Sequence, residues 1–193
     1  MLFRSVRAGY GEIVKYGLIR DAEFFQSLEA EGRAVCDHEP KALTRAITVS
    51  CRMKAAIVAA DEREEGDRAL LNFGHTFGHA LEAETGFGDR LLHGEAVALG
   101  MVLAFDFAVR LGLASGQDSH RVRRHIAAAG LPSELAAVGL SGGSADRLLS
   151  HMGKDKKVRE GAITLILPRK IGEVFVMRDA PVGELRSFLA EHR

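Results

Sequence analysis

Apolar residues recur at three- and four-residue intervals along most of this chain and alternate only near its end, a pattern that predicts helices followed by a short strand pair. A glycine-interrupted helix is expected over residues 7–18, and Asp21 can cap a second through about residue 31, with Phe24, Phe25 and Leu28 buried. A long helix is expected over 40–62, its apolar side formed by Leu43, Ile47, Cys51, Ala55 and Val58. Another is expected over 67–85. The stretch from His93 toward Gly112 is apolar nearly all round and reads as a central buried helix. Shorter helices follow at about 117–129, 132–138, 144–152 and 182–192. The β-branched runs 162–168 and 173–177, joined by Arg-Lys-Ile-Gly, predict a hairpin. The expected fold is mostly α, a multi-helix domain with one small β-hairpin. Strands alternating with helices are missing, and no GxGxxG follows a strand.

The 67–85 segment departs from an ordinary amphipathic helix. Arg68, Asn72, His75 and His79 advance by four, three and four residues, so on a continuous helix they form one stripe. That stripe carries a guanidinium, an amide and two imidazoles, while Leu70, Leu71, Phe73 and Phe77 take the other faces. A merely solvated face is usually Lys and Glu, so Asn and His here point to a polar site. Three glycines within residues 7–18 cost helix stability unless close packing or a ligand needs them. Glu12 and Lys15 share a face of that helix, which on its own reads as a surface ion pair.

Composition narrows the partners. Lys plus Arg and Asp plus Glu each number 26 in 193 residues, and no long run of one sign occurs, which argues against nucleic acid and anionic membrane surfaces. Cys36 and Cys51 form no CxxC pair, so disulfides are not expected. No apolar run reaches the length of a membrane span and no leader pattern opens the chain. The expectation is a cytoplasmic protein.

Two or three N and O donors on rigid elements would serve a divalent metal. His75 and His93 can converge if their helices pack antiparallel. His75 and His79 could instead clamp a metal, although Thr76 occupies the position where a zinc protease's HExxH has Glu. A carboxylate could come from Glu12, Glu82, Glu84 or Glu95, and spacing leaves that choice open. The cationic segment 153–157 reads in isolation as solvated surface.

Four motifs carry a resemblance. Arg7-Ala-Gly-Tyr-Gly-Glu-Ile-Val-Lys-Tyr-Gly-Leu-Ile, Leu71-Asn-Phe-Gly-His-Thr-Phe-Gly-His-Ala-Leu-Glu, Leu92-His-Gly-Glu-Ala-Val-Ala-Leu-Gly-Met and Asp155-Lys-Lys, in that order, resemble the carboxyl-terminal half of the 3-dehydroquinate synthase family. The resemblance implies that family's helical metal- and substrate-binding domain over residues 1–193. Glu12, His75 and His93 would be the zinc ligands, with cobalt as an alternative metal. Arg68 and Lys54 would hold a substrate carboxylate. Asn72, His79 and Lys156 would contact phosphate, with Lys154 and Lys157 as neighbours of the last, and Lys15 would be a further active-site lysine. The implied enzyme is a carbon–oxygen lyase of the shikimate pathway. It converts 3-deoxy-D-arabino-heptulosonate 7-phosphate to 3-dehydroquinate and phosphate, using NAD to accept and return a hydride. Family members bind NAD on an amino-terminal domain, so no NAD-binding residue is expected within this chain, and as a fragment it should be inactive alone. The resemblance further implies a homodimer for the full-length enzyme. The competing readings are another sugar-phosphate cyclase, an alcohol or glycerol dehydrogenase, and a non-catalytic metal-binding relic. The pairing of Arg68 with Lys54 favours a carboxylated substrate.

Overall fold

Helix α5 (His93–Arg110) is the buried axis of the domain. Its residues from Gly94 through Phe105, with Phe107 and Ala108, are buried, as its nearly continuous apolar sequence requires. Gly112 follows with φ +70°, the left-handed backbone that stops a helix. The computed structural model describes residues 2–61, 66–141, 144–154 and 163–192. In chain order these form α1 (Leu2–Arg20), α2 (Ala22–Cys36), α3 (Pro40–Ala60), a 3-10 turn (Asp67–Asn72), α4 (His75–Thr85), α5, α6 (Gly116–Ala128), a 3-10 turn (Leu135–Val138), α7 (Ala145–Lys154), β1 (Ile163–Lys170), β2 (Glu173–Ala180) and α8 (Val182–Glu191). The strands pair antiparallel, with Leu165 opposite Met177 and Leu167 opposite Phe175. The architecture is the mostly helical domain with one hairpin that the sequence pattern indicates.

Around α5 lie α1, α4, α6 and the hairpin. Backbone approach is closest where α1 crosses the start of α5. A Cβ on Gly94 would lie 1.9 Å from the Ala8 carbonyl oxygen, and one on Gly11 would lie 2.5 Å from the Gly94 carbonyl oxygen. The α1 glycines that looked costly are therefore partly explained by packing. This crossing sets Glu12, one residue past Gly11, beside the first turn of α5.

Helices α4 and α5 run antiparallel. A Cβ on Gly100 would lie 2.1 Å from the Gly74 carbonyl oxygen, and one on Gly78 would meet the Ala96 backbone at 3.2 Å. Beyond these points His93 comes opposite the last turns of α4. Glu84 ties α4 to α7 through Arg147 (2.5 Å) and His151 (3.2 Å).

Four expectations are corrected. The helix expected over 67–85 is broken: Phe73 has φ −56°, ψ 129°, and Gly74 has φ +81°. Neither conformation continues a right-handed helix, so Arg68 and Asn72 sit on a separate 3-10 turn. The α3 stripe is rotated. Ala46, Ser50 and Ile57 are buried, whereas Ile47, Cys51 and Ala55 are exposed, because the alternative set Leu43, Ala46, Val49, Ser50, Met53 and Ile57 has equally good helical spacing and faces α2 and α1. Helix α2 continues to Cys36, with Val35 and Cys36 buried, and His38 just beyond it turns the chain with φ +64°. The segment expected to be helical over 132–138 is only the 3-10 turn Leu135–Val138.

Candidate metal centre and substrate pocket

Three elements deliver three donors to one point. Glu12 projects from the middle of α1, His75 opens α4 and His93 opens α5. Their nearest ligand atoms all lie within 4.8 Å of one another. Nε2 of His75 and Nε2 of His93 are each 3.9 Å from the same oxygen, Oε1 of Glu12. Those separations are too long for hydrogen bonds. They suit donors converging on a shared cation.

The other atom of each group is already committed. Glu12 Oε2 accepts from Lys15 Nζ at 2.7 Å. His75 Nδ1 lies 3.2 Å from the Phe73 carbonyl oxygen, which can only accept, so Nδ1 carries the proton and Nε2 presents its lone pair. His93 Nδ1 lies 3.2 and 3.3 Å from the two Glu82 oxygens, which fixes the same tautomer. Oε1 of Glu12 is buried and has no hydrogen-bond partner. A buried carboxylate oxygen left alone between two imidazole lone pairs is what a bound cation would satisfy.

Electrostatics prepares the same state. Burial, joined by the Lys15 charge, pulls the His75 imidazole down to about 4, so the ring is neutral and able to ligate at neutral pH. Burial opposes ionisation of Glu12, but the charge of Lys15 and its hydrogen bond prevail and hold the carboxyl below its usual range. Lys15 itself, only 5% exposed along its side chain, is lowered by burial, with Glu12 pulling against that and Lys54 adding to it.

The remaining carboxylates that spacing left open are occupied. Glu84 pairs with Arg147 and His151. Glu95 is 2.7 Å from Arg4 through each of its oxygens and accepts the Leu92 N–H at 2.9 Å. Glu82, with His79 and His93, forms a second group close enough for a metal, but His79 and His93 are exposed there and Glu82 is engaged with a ring N–H. Glu12 alone of the four offers an unpartnered buried oxygen.

Beside the donors is a pocket of about 170 Å³ lined by Asn72, His75, Thr76 and His79 on one side and Thr164, Ile166 and Val176 on the other. The break at Gly74 keeps Asn72 with the two histidines even though the helix is not continuous. The His79 ring centroid is 5.4 Å from that of His75 and 5.9 Å from that of His93. The hairpin wall was not legible from the sequence: alternation marks Thr164, Ile166 and Val176 as strand positions without saying which helix they face. Arg68 is partly buried on the 3-10 turn, where its backbone N–H is held by Asp61 at 2.9 Å. That turn packs on α3, the helix carrying exposed Lys54. Lys156 lies outside the described residues. The sequence also gave no warning of Arg4, whose bonds to Glu95 and to the Asp89 and Arg90 carbonyls tie down the loop before His93.

A helical domain that presents a carboxylate and two imidazoles at the edge of a small pocket of mixed polar and apolar lining has the form of a metal-dependent catalytic domain. Residues 9–158 match the 3-dehydroquinate synthase C-terminal family, and the chain belongs to it. The 3-dehydroquinate synthase of Caulobacter vibrioides (strain NA1000 / CB15N) is 53% identical over 188 residues, covering 97% of this chain and 51% of that protein. That of Rhizobium meliloti (strain 1021) is 53% identical over 189 residues, covering 97% and 50%. The chain thus spans about half the length of these relatives. Its fold is similar to that of the 2-epi-5-epi-valiolone synthase of Streptomyces hygroscopicus subsp. jinggangensis 5008, solved with NAD+ and Zn2+ bound (TM-score 0.83, 28% identity, 97% of this chain and 51% of that one). A 2-deoxy-scyllo-inosose synthase complexed with carbaglucose-6-phosphate, NAD+ and Co2+ shares the fold at TM-score 0.75 and 24% identity, over 98% and 52% of the two chains.

Proposed function

We propose that residues 1–193 form the metal- and substrate-binding half of a 3-dehydroquinate synthase, which converts 3-deoxy-D-arabino-heptulosonate 7-phosphate to 3-dehydroquinate and phosphate. The NAD-binding half lies outside these residues in this reading. The observation that carries it is the unpartnered Oε1 of Glu12 facing Nε2 of both His75 and His93, in a chain 53% identical to relatives of that name.

Glu12, His75 and His93 would hold Zn2+ or Co2+, the ions of the structural neighbours. When bound, the metal would polarise the substrate oxygen undergoing oxidation and NAD would exchange the hydride. The chain's own groups do the rest. Lys15 keeps Glu12 ionised and adds positive charge next to the donors. Arg68 and Lys54 take the substrate carboxylate, a task for which a forked guanidinium beside an ammonium is suited. Asn72 and His79, on the pocket wall, donate to the phosphate, and Lys156 supplies a further cation. These contacts stabilise the departing phosphate and orient the sugar against the donors. Cys36 and Cys51, both free, suit a reducing cytoplasm, and among the described residues no helix is long and apolar enough to cross a membrane.

The test joins this chain to the amino-terminal half of the Caulobacter vibrioides relative. With NAD+, Zn2+ and the heptulosonate phosphate, the fusion should release inorganic phosphate and form 3-dehydroquinate, and the 193-residue chain alone should release none. A fusion that binds both NAD+ and Zn2+ yet turns nothing over contradicts the reading, as does phosphate release by the chain alone.

A further inference from the structure

We infer that Glu82 is a positioning residue for the metal centre, acting through His93. Resting on the metal-binding reading above, the inference concerns a side chain that would not touch the ion.

Glu82 lies seven residues after His75 on α4 and three after His79, two helical turns along the face that packs on α5. The antiparallel approach of the helices, Gly74 against Gly100 and then Gly78 against Ala96, brings the next turn of α4 opposite the start of α5. There Glu82, only 15% exposed, meets the Nδ1 edge of His93, whose ring is 50% exposed. Both carboxylate oxygens are within 3.3 Å of Nδ1.

His93 needs such a partner more than His75 does. His75 is held by the Phe73 carbonyl and by burial, its side chain 15% exposed. His93 stands at the first position of its helix, after a loop, with half its ring in solvent. Without Glu82 its ring could rotate and its proton could move to Nε2, the atom facing Glu12. An anionic acceptor on Nδ1 fixes the ring's orientation and tautomer and leaves the Nε2 lone pair facing Glu12.

The experiment measures Co2+ binding by the purified chain, as affinity by competition with a chelator and as the visible absorption of the bound ion. Glu82→Ala should weaken Co2+ binding by about 10–100-fold and alter the absorption bands, while Glu82→Gln, which keeps an oxygen acceptor without the charge, should recover part of the affinity. Glu84→Ala serves as the structural control, because it removes the α4–α7 ion pairs on the same helix and should lower thermal stability without moving Co2+ affinity. Unchanged affinity in Glu82→Ala overturns the inference, and so does an equal loss in Glu84→Ala. Two ions bound by the parent and one by Glu82→Ala, with the remaining affinity intact, would make Glu82 a ligand of a second site and overturn it as well. A parent chain that binds no Co2+ would refute the metal reading itself, and this inference with it.

Discussion

Oε1 of Glu12 sits 3.9 Å from Nε2 of His75 with no hydrogen bond between them. The two side chains come from different helices, and each has its other polar atom engaged, Oε2 with Lys15 and Nδ1 with the Phe73 carbonyl. The gap is held open by its surroundings.

The crossing of α1 over α5 maintains that gap, so the first prediction is steric. Gly94→Ala places a Cβ 1.9 Å from the Ala8 carbonyl oxygen, which only backbone movement can relieve. The variant should lose about 1–3 kcal/mol of stability, more if the helices cannot part, and should bind Zn2+ more weakly because Glu12 moves with α1. Denaturant unfolding and metal titration on the same protein check both.

Lys15 is the next test. Its ammonium is buried and paired at 2.7 Å with a carboxylate that is 34% exposed. Lys15→Met removes the charge that keeps Glu12 ionised and should destabilise the metal-free chain by about 1–2 kcal/mol, less than a fully buried pair would cost. Bound Zn2+ should restore part of that loss. Equal unfolding midpoints for variant and parent without metal would contradict it.

Acid should weaken the fold before it protonates the folded centre. His125 is buried against Tyr10, with its Nε2 2.9 Å from the Tyr10 hydroxyl, and burial lowers its pKa although Glu29 opposes this. His75 is lowered to about 4. Both ordinary values are 6.5, so below that pH the unfolded chain takes up protons that the folded chain refuses. This stability is fully present above about 6.5 and is lost as pH falls toward 4, each group contributing at most about 1.4 kcal/mol per pH unit. His125→Gln should give a shallower slope between pH 6.5 and 5 in metal-free unfolding, and an unchanged slope would count against the assignment.

Residue spacing revealed much of this site, and its failures have physical causes. Period 3.6 located most of the helices, and the all-round apolar stretch after His93 identified the buried axis. The same periodicity could not choose between two stripes on α3, since Ala46 and Ser50 are as well spaced as Ile47 and Cys51. It also ran through Gly74, because a glycine inside a helical pattern does not announce a left-handed conformation. His75 and His93 were legible as candidate ligands by type, whereas spacing left four carboxylates open. Only the resemblance pointed to Glu12, and among the four it alone has an unpartnered buried oxygen, Glu84, Glu95 and Glu82 being paired elsewhere. The hairpin wall of the pocket depends on contacts about ninety residues apart, such as Thr76 with Thr164, and local pattern carries no trace of them.

Substrate contacts should separate from metal contacts. In the fusion with an NAD-binding half, Asn72→Ala should weaken binding of the heptulosonate phosphate by about 10–100-fold, the worth of a hydrogen bond to a charged group, with zinc content unchanged. Metal analysis beside steady-state kinetics checks this, and loss of zinc in Asn72→Ala would move that residue into the metal centre.

The central claim, that Glu12, His75 and His93 hold one metal ion, is tested most directly by titrating the purified chain with Zn2+ and counting ions bound. The account predicts one Zn2+ per chain, with affinity reduced at least about 100-fold in Glu12→Gln and in His93→Ala while both variants keep the parent's helical circular dichroism. Zinc bound with parental affinity by either folded variant would contradict it.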